Sequence, residues 1–324
     1  MKRLILVTLV ILFAAVTEGL PAETFPTKPI TLLVGFSPGG SADILSRAMA
    51  AGASKHLGQS VVVLNKPGAA GTIAIDYVAQ SRPDGYTLIA IGLQNLALGI
   101  HTQGLRWGPD DFSLLLGTCG YNFALVVRPD APWKNFDEWV QYVRQNPGFK
   151  YSTPGASMPT HLIMEWIAKR LDLKLTPIHL KGDADGIVSV MGGHIQLHSG
   201  SGVQASHVKA GKLRTLLQLV GDPADANPSS IPTLKKLFPD APIDMLELSF
   251  TVFGPRGISP PVQTKLHDAF KKGSVENPDF IKATQTLFLH AEYQDSKELH
   301  AKLLKSLKFV GDLLRELKLD KKPS

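Results

Sequence analysis

The chain reads as an α/β protein of two domains, each a mostly parallel sheet flanked by helices, with a ligand cleft between them. Three observations predict this. Apolar, β-rich runs alternate with helical patterns along the chain, the order that builds parallel sheets. The 324 residues are enough for two domains even after an N-terminal leader is removed. Two loops, around Pro38-Gly39-Gly40 and Pro154-Gly155, each carry the chain from a short strand into a helix. In open α/β sheets such loops lie at the carboxyl ends of the strands, where ligands bind.

The elements follow in order. Ile30-Thr-Leu-Leu-Val34 is a short apolar strand, and a helix over 41–57 opens after the glycine pair, with Ile44, Leu45, Ala48 and Met49 on one face. β-branched residues mark a strand at 61–64, a helix over 72–80 follows Gly71, and the Pro83-Asp84-Gly85 turn leads into a strand at 87–91. Strands at 123–127 and 150–152 enclose a helix over 136–145. A helix over 159–171 has Pro159 in its first turn, where the missing N–H costs nothing. A strand at 176–180, a helix over 182–191 ended by Gly192-Gly193, and strands at 194–198 and 215–220 complete the middle of the chain. Residues 221–232, rich in Pro, Asp, Asn and Ser, read as a surface connection. A strand at 251–254 and helices over 260–273 and 297–317 close the pattern. No repeat and no low-complexity tract interrupts it.

Lys2 and Arg3, then an apolar run from Leu4 to Val16, then Gly19, Pro21 and Ala22, read as a secretory signal over residues 1–22. The run is short for a membrane span. Without Lys2, Arg3 and Glu18, 32 basic residues face 27 acidic ones, a net charge of +5. The lysines concentrate near the C-terminus without interleaved aromatics, so nucleic acid is not the expected partner. Cys119 is alone, so no intrachain disulfide forms. Neither metal nor cofactor is expected, and the chain is expected to be monomeric.

The first loop, Ser37-Pro-Gly-Gly-Ser41, has the makings of an anion site. The first amides of a helix lack intrahelical partners and sit at the positive end of its dipole. Gly39 and Gly40 clear side chains from the backbone, and Ser41 is the expected N-cap. The second loop, Thr153-Pro-Gly155-Ala156-Ser157-Met158-Pro-Thr160-His161, repeats the arrangement. Two helix N-termini from different halves of the chain suit two carboxylates of one ligand.

At these residues the sequence resembles a known family, the periplasmic solute-binding receptors of tripartite tricarboxylate transporters. The resemblance runs through Phe36-Ser37-Pro38-Gly39-Gly40 with Asp43, Asn65-Lys66-Pro67-Gly68-Ala69-Ala70-Gly71, Pro83-Asp84-Gly85-Tyr86, Pro154-Gly155 to His161-Leu162, Lys181-Gly182, Ala210-Gly211-Lys212-Leu213-Arg214 and Pro255-Arg256-Gly257. It implies a Venus-flytrap receptor of the type II periplasmic binding fold that clamps a small carboxylate and delivers it to integral-membrane permease subunits. Residues 23–122 with 247–324 would form domain one, and 123–246 domain two. The ligand site implied comprises Ser37, Gly39, Gly40, Ser41, Ala42, Asp43, Thr153, Gly155, Ala156, Ser157, Met158, Thr160, His161 and Lys181. The chain departs from the family at Met158, where a hydroxyl residue is usual, at Leu180, where an aromatic is common, and at Gln196, where an acid is common. Met158 and Leu180 favour a dicarboxylate with a partly apolar body. A sensory receptor that signals to a membrane partner would share the same fold and site.

Other readings of the same residues stand beside these. Gly35-Phe-Ser37-Pro-Gly39 fits a nucleophile-elbow pattern, with Asp185 and His207 as nominal partners for a secreted serine hydrolase. The pattern fails because Pro38-Gly39-Gly40 separate the serine from its helix, and only one strand precedes it. Asp43 either supports its own helix or accepts from a ligand donor, and His161 either meets ligand or bonds to backbone. His194, Gln196 and His198 alternate on the expected strand as a polar face, without the acid or cysteine a zinc site would add. Leu299, Leu303, Leu307, Val310, Leu314 and Leu317 form a stripe suited to docking on a core rather than to a membrane surface.

Overall fold

The computed structural model describes residues 25–156, 158–224, 228–243 and 249–319. The leader and Ser157 lie outside that set. Eleven strands of the described chain form two sheets. The first contains β1 (Ile30–Val34), β2 (Val61–Asn65), β3 (Thr87–Gly92), β4 (Phe112–Cys119), β10 (Phe250–Pro255) and β11 (Ala291–Gln294), in the order β11-β4-β10-β3-β1-β2. The second contains β5 (Phe123–Val127), β6 (Phe149–Thr153), β7 (Leu175–His179), β8 (Leu197–Ser201) and β9 (Arg214–Val220), in the order β7-β6-β8-β5-β9.

Helices flank both. The helices near the first sheet are α1 (Ser41–Leu57), α2 (Thr72–Ala79), α3 (Leu93–Thr102), α9 (Pro260–Gly273), α10 (Pro278–Thr286) and α11 (Ser296–Leu317). Those between β5 and β10 are α4 (Phe136–Gln145), α5 (Pro159–Leu171), α6 (Asp183–Met191), α7 (Gln204–Lys209) and α8 (Leu234–Leu237). α1, α4, α5 and α9 start and end where the sequence pattern places them.

The α/β class holds, but the sheets are mixed rather than mostly parallel. β1 runs parallel to β2 and β3, while β10 is antiparallel to β3 and β4. β6 runs parallel to β7 and β8, while β5 is antiparallel to β8 and β9. Parallel pairing needs a crossover helix between consecutive strands. β5 and β10 each begin where the chain passes from one sheet to the other, so no such crossover fixes their direction. The strand expected at 194–198 is also shifted. β8 starts at Leu197 because the turn after α6 extends through Gly193, at φ +74°, to Gln196. His194 and Gln196 therefore sit in that turn, and His198 alone of the three is in the strand.

Two apolar clusters fill the protein, and each draws residues from both lobes. Leu32, Leu45, Met49, Val252 and Phe270 pack between β1, β10, α1 and α9. Trp133, Trp139, Phe149 and Tyr142 form an aromatic cluster behind β6, with ring centroids 4.7–6.2 Å apart. Such pairs add to plain area burial. α11 buries Leu299, Leu303, Val310 and Leu314 against α3 and β4, so the terminal stripe is a docking face. Among the described residues no helix is long and apolar enough to cross a membrane.

Candidate functional site

Four helices from the two lobes point their N-termini at one cavity. α1 starts at N-cap Gly40, α3 at Gly92, α5 at Met158 and α6 at Gly182. None of the four has a side-chain cap hydrogen bond. α4, α8, α10 and α11, away from the cavity, are capped by Asn135, Thr233, Asn277 and Asp295, while α2, α7 and α9 also have no side-chain cap. Uncapped first-turn amides and four positive dipole ends make the region attractive to anions. The cavity is lined by Phe36, Gly40, Ser41, Ala42, Asn95, Tyr121, Phe123, Met158, Asp183 and Ser201, and encloses about 20 Å³. That is room for roughly one water molecule, so nothing larger fits unless the lobes part.

The lobes meet directly around it. The Ser37 amide donates to the Lys181 carbonyl at 3.3 Å, and its hydroxyl to Asp185 Oδ2 at 3.0 Å. Ser37 thus stands at the rim, outside the cavity lining. Gly40 and not Ser41 is the N-cap of α1: Ser41, the first helical residue, turns its buried hydroxyl to the other lobe. There it accepts from the Val203 amide at 2.9 Å and stands 3.2 Å from the Ser201 hydroxyl. The cross-lobe partners offer more contacts to that oxygen than its own helix does.

Asp43 organises the first loop. Its carboxylate accepts from the Gly39 amide at 3.0 Å, from Asn65 Nδ2 at 2.9 Å and from Arg47 Nε at 3.1 Å. Arg47 also pairs with it at 2.8 Å, and Asn65 ties the loop to the Phe36 carbonyl. Burial pushes its pKa up, but the bonds from Arg47, Gly39 and Asn65 outweigh this and hold it below the usual value. The Gly39 amide is therefore committed to Asp43, and the amides of Gly40, Ser41 and Ala42 are the ones left facing the cavity.

In the second loop, Gly155 meets Ala70 of the other lobe so closely that a Cβ would lie 2.9 Å from the Ala70 methyl. Met158 lines the cavity, and its sulfur accepts from Asn95 Nδ2 at 3.1 Å. Leu180 does not line it, so only one of the two apolar departures reaches the site. Thr153 and Thr160 are buried and 3.0 Å apart, hydroxyl to hydroxyl, and the Thr160 carbonyl accepts from Ser199. They brace the loop from behind. His161 Nδ1 bonds the Ala156 carbonyl and its Nε2 lies 3.5 Å from Glu165, so both ring nitrogens face protein. The Lys181 side chain is exposed and away from the lining.

Sequence reasoning missed Phe36, Asn95, Tyr121, Phe123, Asp183 and Ser201. Asp183 opens α6 and its Oδ1 accepts from the Ser201 amide at 2.9 Å and from His198 Nε2 at 3.2 Å; its Oδ2 takes the Ser201 hydroxyl. Burial raises its pKa, yet these donors hold it below the usual value and keep it ionised. His198 is fully buried, its other nitrogen 2.9 Å from the Ser152 hydroxyl. Ser37 touches Asp185 without an intervening histidine, and neither has a hydrogen bond to His207 among the described residues. The geometry of a hydrolytic triad is absent there.

Two lobes closing helix N-termini on a shared cavity define a solute-binding receptor. The family model described as "Tripartite tricarboxylate transporter family receptor" matches residues 45–319. The chain is 35% identical over 288 residues to the "UPF0065 protein in gbd 5'region" of Cupriavidus necator, covering 88% of this chain and 86% of the relative. It belongs to the tripartite tricarboxylate transporter receptor family. The fold is that of periplasmic binding protein BugD, with TM-score 0.84 at 23% identity over 92% of this chain and all of that one. Two proteins of Rhodopseudomonas palustris share it, each covering 91% of this chain and 99% of the neighbour. They are MatC with bound malate (TM-score 0.76, 21% identity) and Rpa4515 with adipate (TM-score 0.79, 23% identity).

Proposed function

We propose that this protein is an extracytoplasmic receptor that captures a dicarboxylate between its lobes and delivers it to a tripartite tricarboxylate-type permease. The observation that carries the reading is the convergence of uncapped helix N-termini from both lobes on one cavity. The malate and adipate bound by the two structural neighbours support the ligand class. Residues 23–122 with 247–324 act as one lobe and 123–246 as the other. The amides of Gly40, Ser41 and Ala42 hold one carboxylate, and those of Gly155 and Ala156 in the second loop hold the other. Met158, Phe36 and Phe123 cover the ligand's apolar body. The leader directs export to the periplasm, the protein works as a monomer, and binding rather than catalysis is its activity.

A thermal-shift screen of mono-, di- and tricarboxylates tests this. A ligand at a hundred times its Kd adds about 2.7 kcal/mol of stability, which shifts melting by several degrees. Stabilisation by diacids is the expected result. A screen in which no carboxylate raises the melting temperature overturns the reading.

A further inference from the structure

We infer that the cavity selects ligands carrying a hydrogen-bond donor, a hydroxyl or an ammonium, beside their carboxylates, with Asp183 as the group that reads it. The inference rests on the carboxylate-receptor reading and specifies its ligand.

Asp183 is out of place in an anion site. An ionised carboxylate accepts hydrogen bonds and cannot donate. A ligand carboxylate set against it meets only repulsion, so whatever touches Asp183 from the cavity must bring a proton. The carboxylate offers about four lone-pair positions. Protein donors fill three: the Ser201 amide, the Ser201 hydroxyl and His198 Nε2. The fourth is open, on a residue that lines the cavity.

Asn95 adds a second acceptor. Its Nδ2 is committed to the Ala70 carbonyl and the Met158 sulfur, both at 3.1 Å, which leaves its carbonyl oxygen for the cavity. Beside it, the Gln94 side chain is fully buried and hydrogen-bonds the Tyr121 hydroxyl. A Cβ at Gly92 would touch both Gln94 Nε2, at 2.5 Å, and Tyr121 Oη, at 2.7 Å, so the Gln94 amide lies beside the tyrosine, and Tyr121 lines the cavity. The lining therefore pairs donor-rich helix N-termini with an acceptor patch of Asp183 and Asn95. A plain diacid satisfies the first set and leaves the second unmatched.

The test is calorimetry on the full chain without its leader. Two series bracket the unknown chain length: succinate, 2-hydroxysuccinate and 2-aminosuccinate, and adipate, 2-hydroxyadipate and 2-aminoadipate. In the series that fits the cleft, one donor-bearing member should bind about ten- to a hundredfold more tightly than its plain parent, the scale of a hydrogen bond to a charged group. The hydroxy and amino arms show which donor is read. In Asp183→Asn the preference should fall at least fivefold toward unity, whatever happens to absolute affinity. Asn95→Leu should narrow it as well. The affinity ratio is the readout because general loosening of the site weakens all members alike. Equal affinity of plain and donor-bearing diacids for the wild type overturns the inference while leaving the carboxylate receptor standing, and needs no variant to fold. A preference unchanged in Asp183→Asn overturns the assignment to Asp183. If no diacid in either series binds, the receptor reading fails and the inference falls with it.

Discussion

Gly155→Ala tests whether the lobes must close for binding. Gly155 has φ +155°, and a Cβ there would sit 2.9 Å from the Ala70 Cβ and 3.1 Å from its Cα. That is roughly 0.6–1.1 Å inside the favourable carbon–carbon separation. Ala70 cannot swing aside, because its atoms are backbone-fixed and its own φ is +54°. The added methyl therefore resists closure, while in a parted form it meets solvent. Overpacking of this kind costs about 1–3 kcal/mol, which lowers ligand affinity about five- to 150-fold. Backbone strain acts in both forms and is measured separately with Gly148→Ala. Gly148 has φ +85° and its nearest neighbour to a Cβ is Thr176 Oγ1 at 3.9 Å, far from the other lobe. Isothermal calorimetry with the best diacid, beside thermal melts of the free proteins, separates the effects. Gly155→Ala should lose affinity and Gly148→Ala should keep it. If Gly155→Ala binds like the wild type, closure through this contact is not part of binding.

The remaining expectations are shorter. Asp43→Asn should destabilise the free protein by about 1–3 kcal/mol, because the carboxylate serves Gly39, Arg47 and Asn65 at once. Asp43 titrates below its unfolded value, so its contribution is present above about pH 4 and is lost as pH falls through the lowered folded value. Melts from pH 3 to 6 should show the gap between wild type and variant shrinking with acid, and a constant gap would contradict the assignment. Cys119 is buried, and burial pushes its thiol up to about 12, so a thiol reagent should label it only after denaturation. Labelling at native-state speed would mean that β4 opens readily. Small-angle scattering should show compaction at saturating diacid, since the 20 Å³ cavity requires the lobes to part for entry. An unchanged profile would place the site within one lobe.

The legible parts of the sequence were those written locally. Helix α1 carries its start in Gly39-Gly40 and its stop in Gly58, and Pro159 and Pro260 fix the starts of α5 and α9. Helix α3 was hidden because it follows β3 without a loop: Leu93-Gln-Asn-Leu-Ala-Leu continues an apolar run with no breaker. β4 was hidden for a related reason. Phe112 to Cys119 is buried on both faces, so no alternation marks it as a strand. The two Pro-Gly loops of the site were visible, because glycine and proline announce backbone turns. The opposite wall was not. Asn95, Tyr121, Asp183 and Ser201 come from four separate segments and meet only through the crossing of the chain between lobes. A clue did stand at Lys181-Gly-Asp183-Ala-Asp185, where two acids open a helix beside an expected anion site.

The central claim is that both lobes supply anion donors to one ligand. Calorimetry of a diacid against its own monoamide tests it most directly, because the two differ in one charge and hardly in shape. The N-terminus of α1 should hold one carboxylate and the loop before α5 the other, and losing one charge-assisted set costs roughly 1.5–3 kcal/mol. The monoamide should therefore bind about ten- to a hundredfold more weakly than the diacid. Equal affinity for the two would contradict the two-anion site.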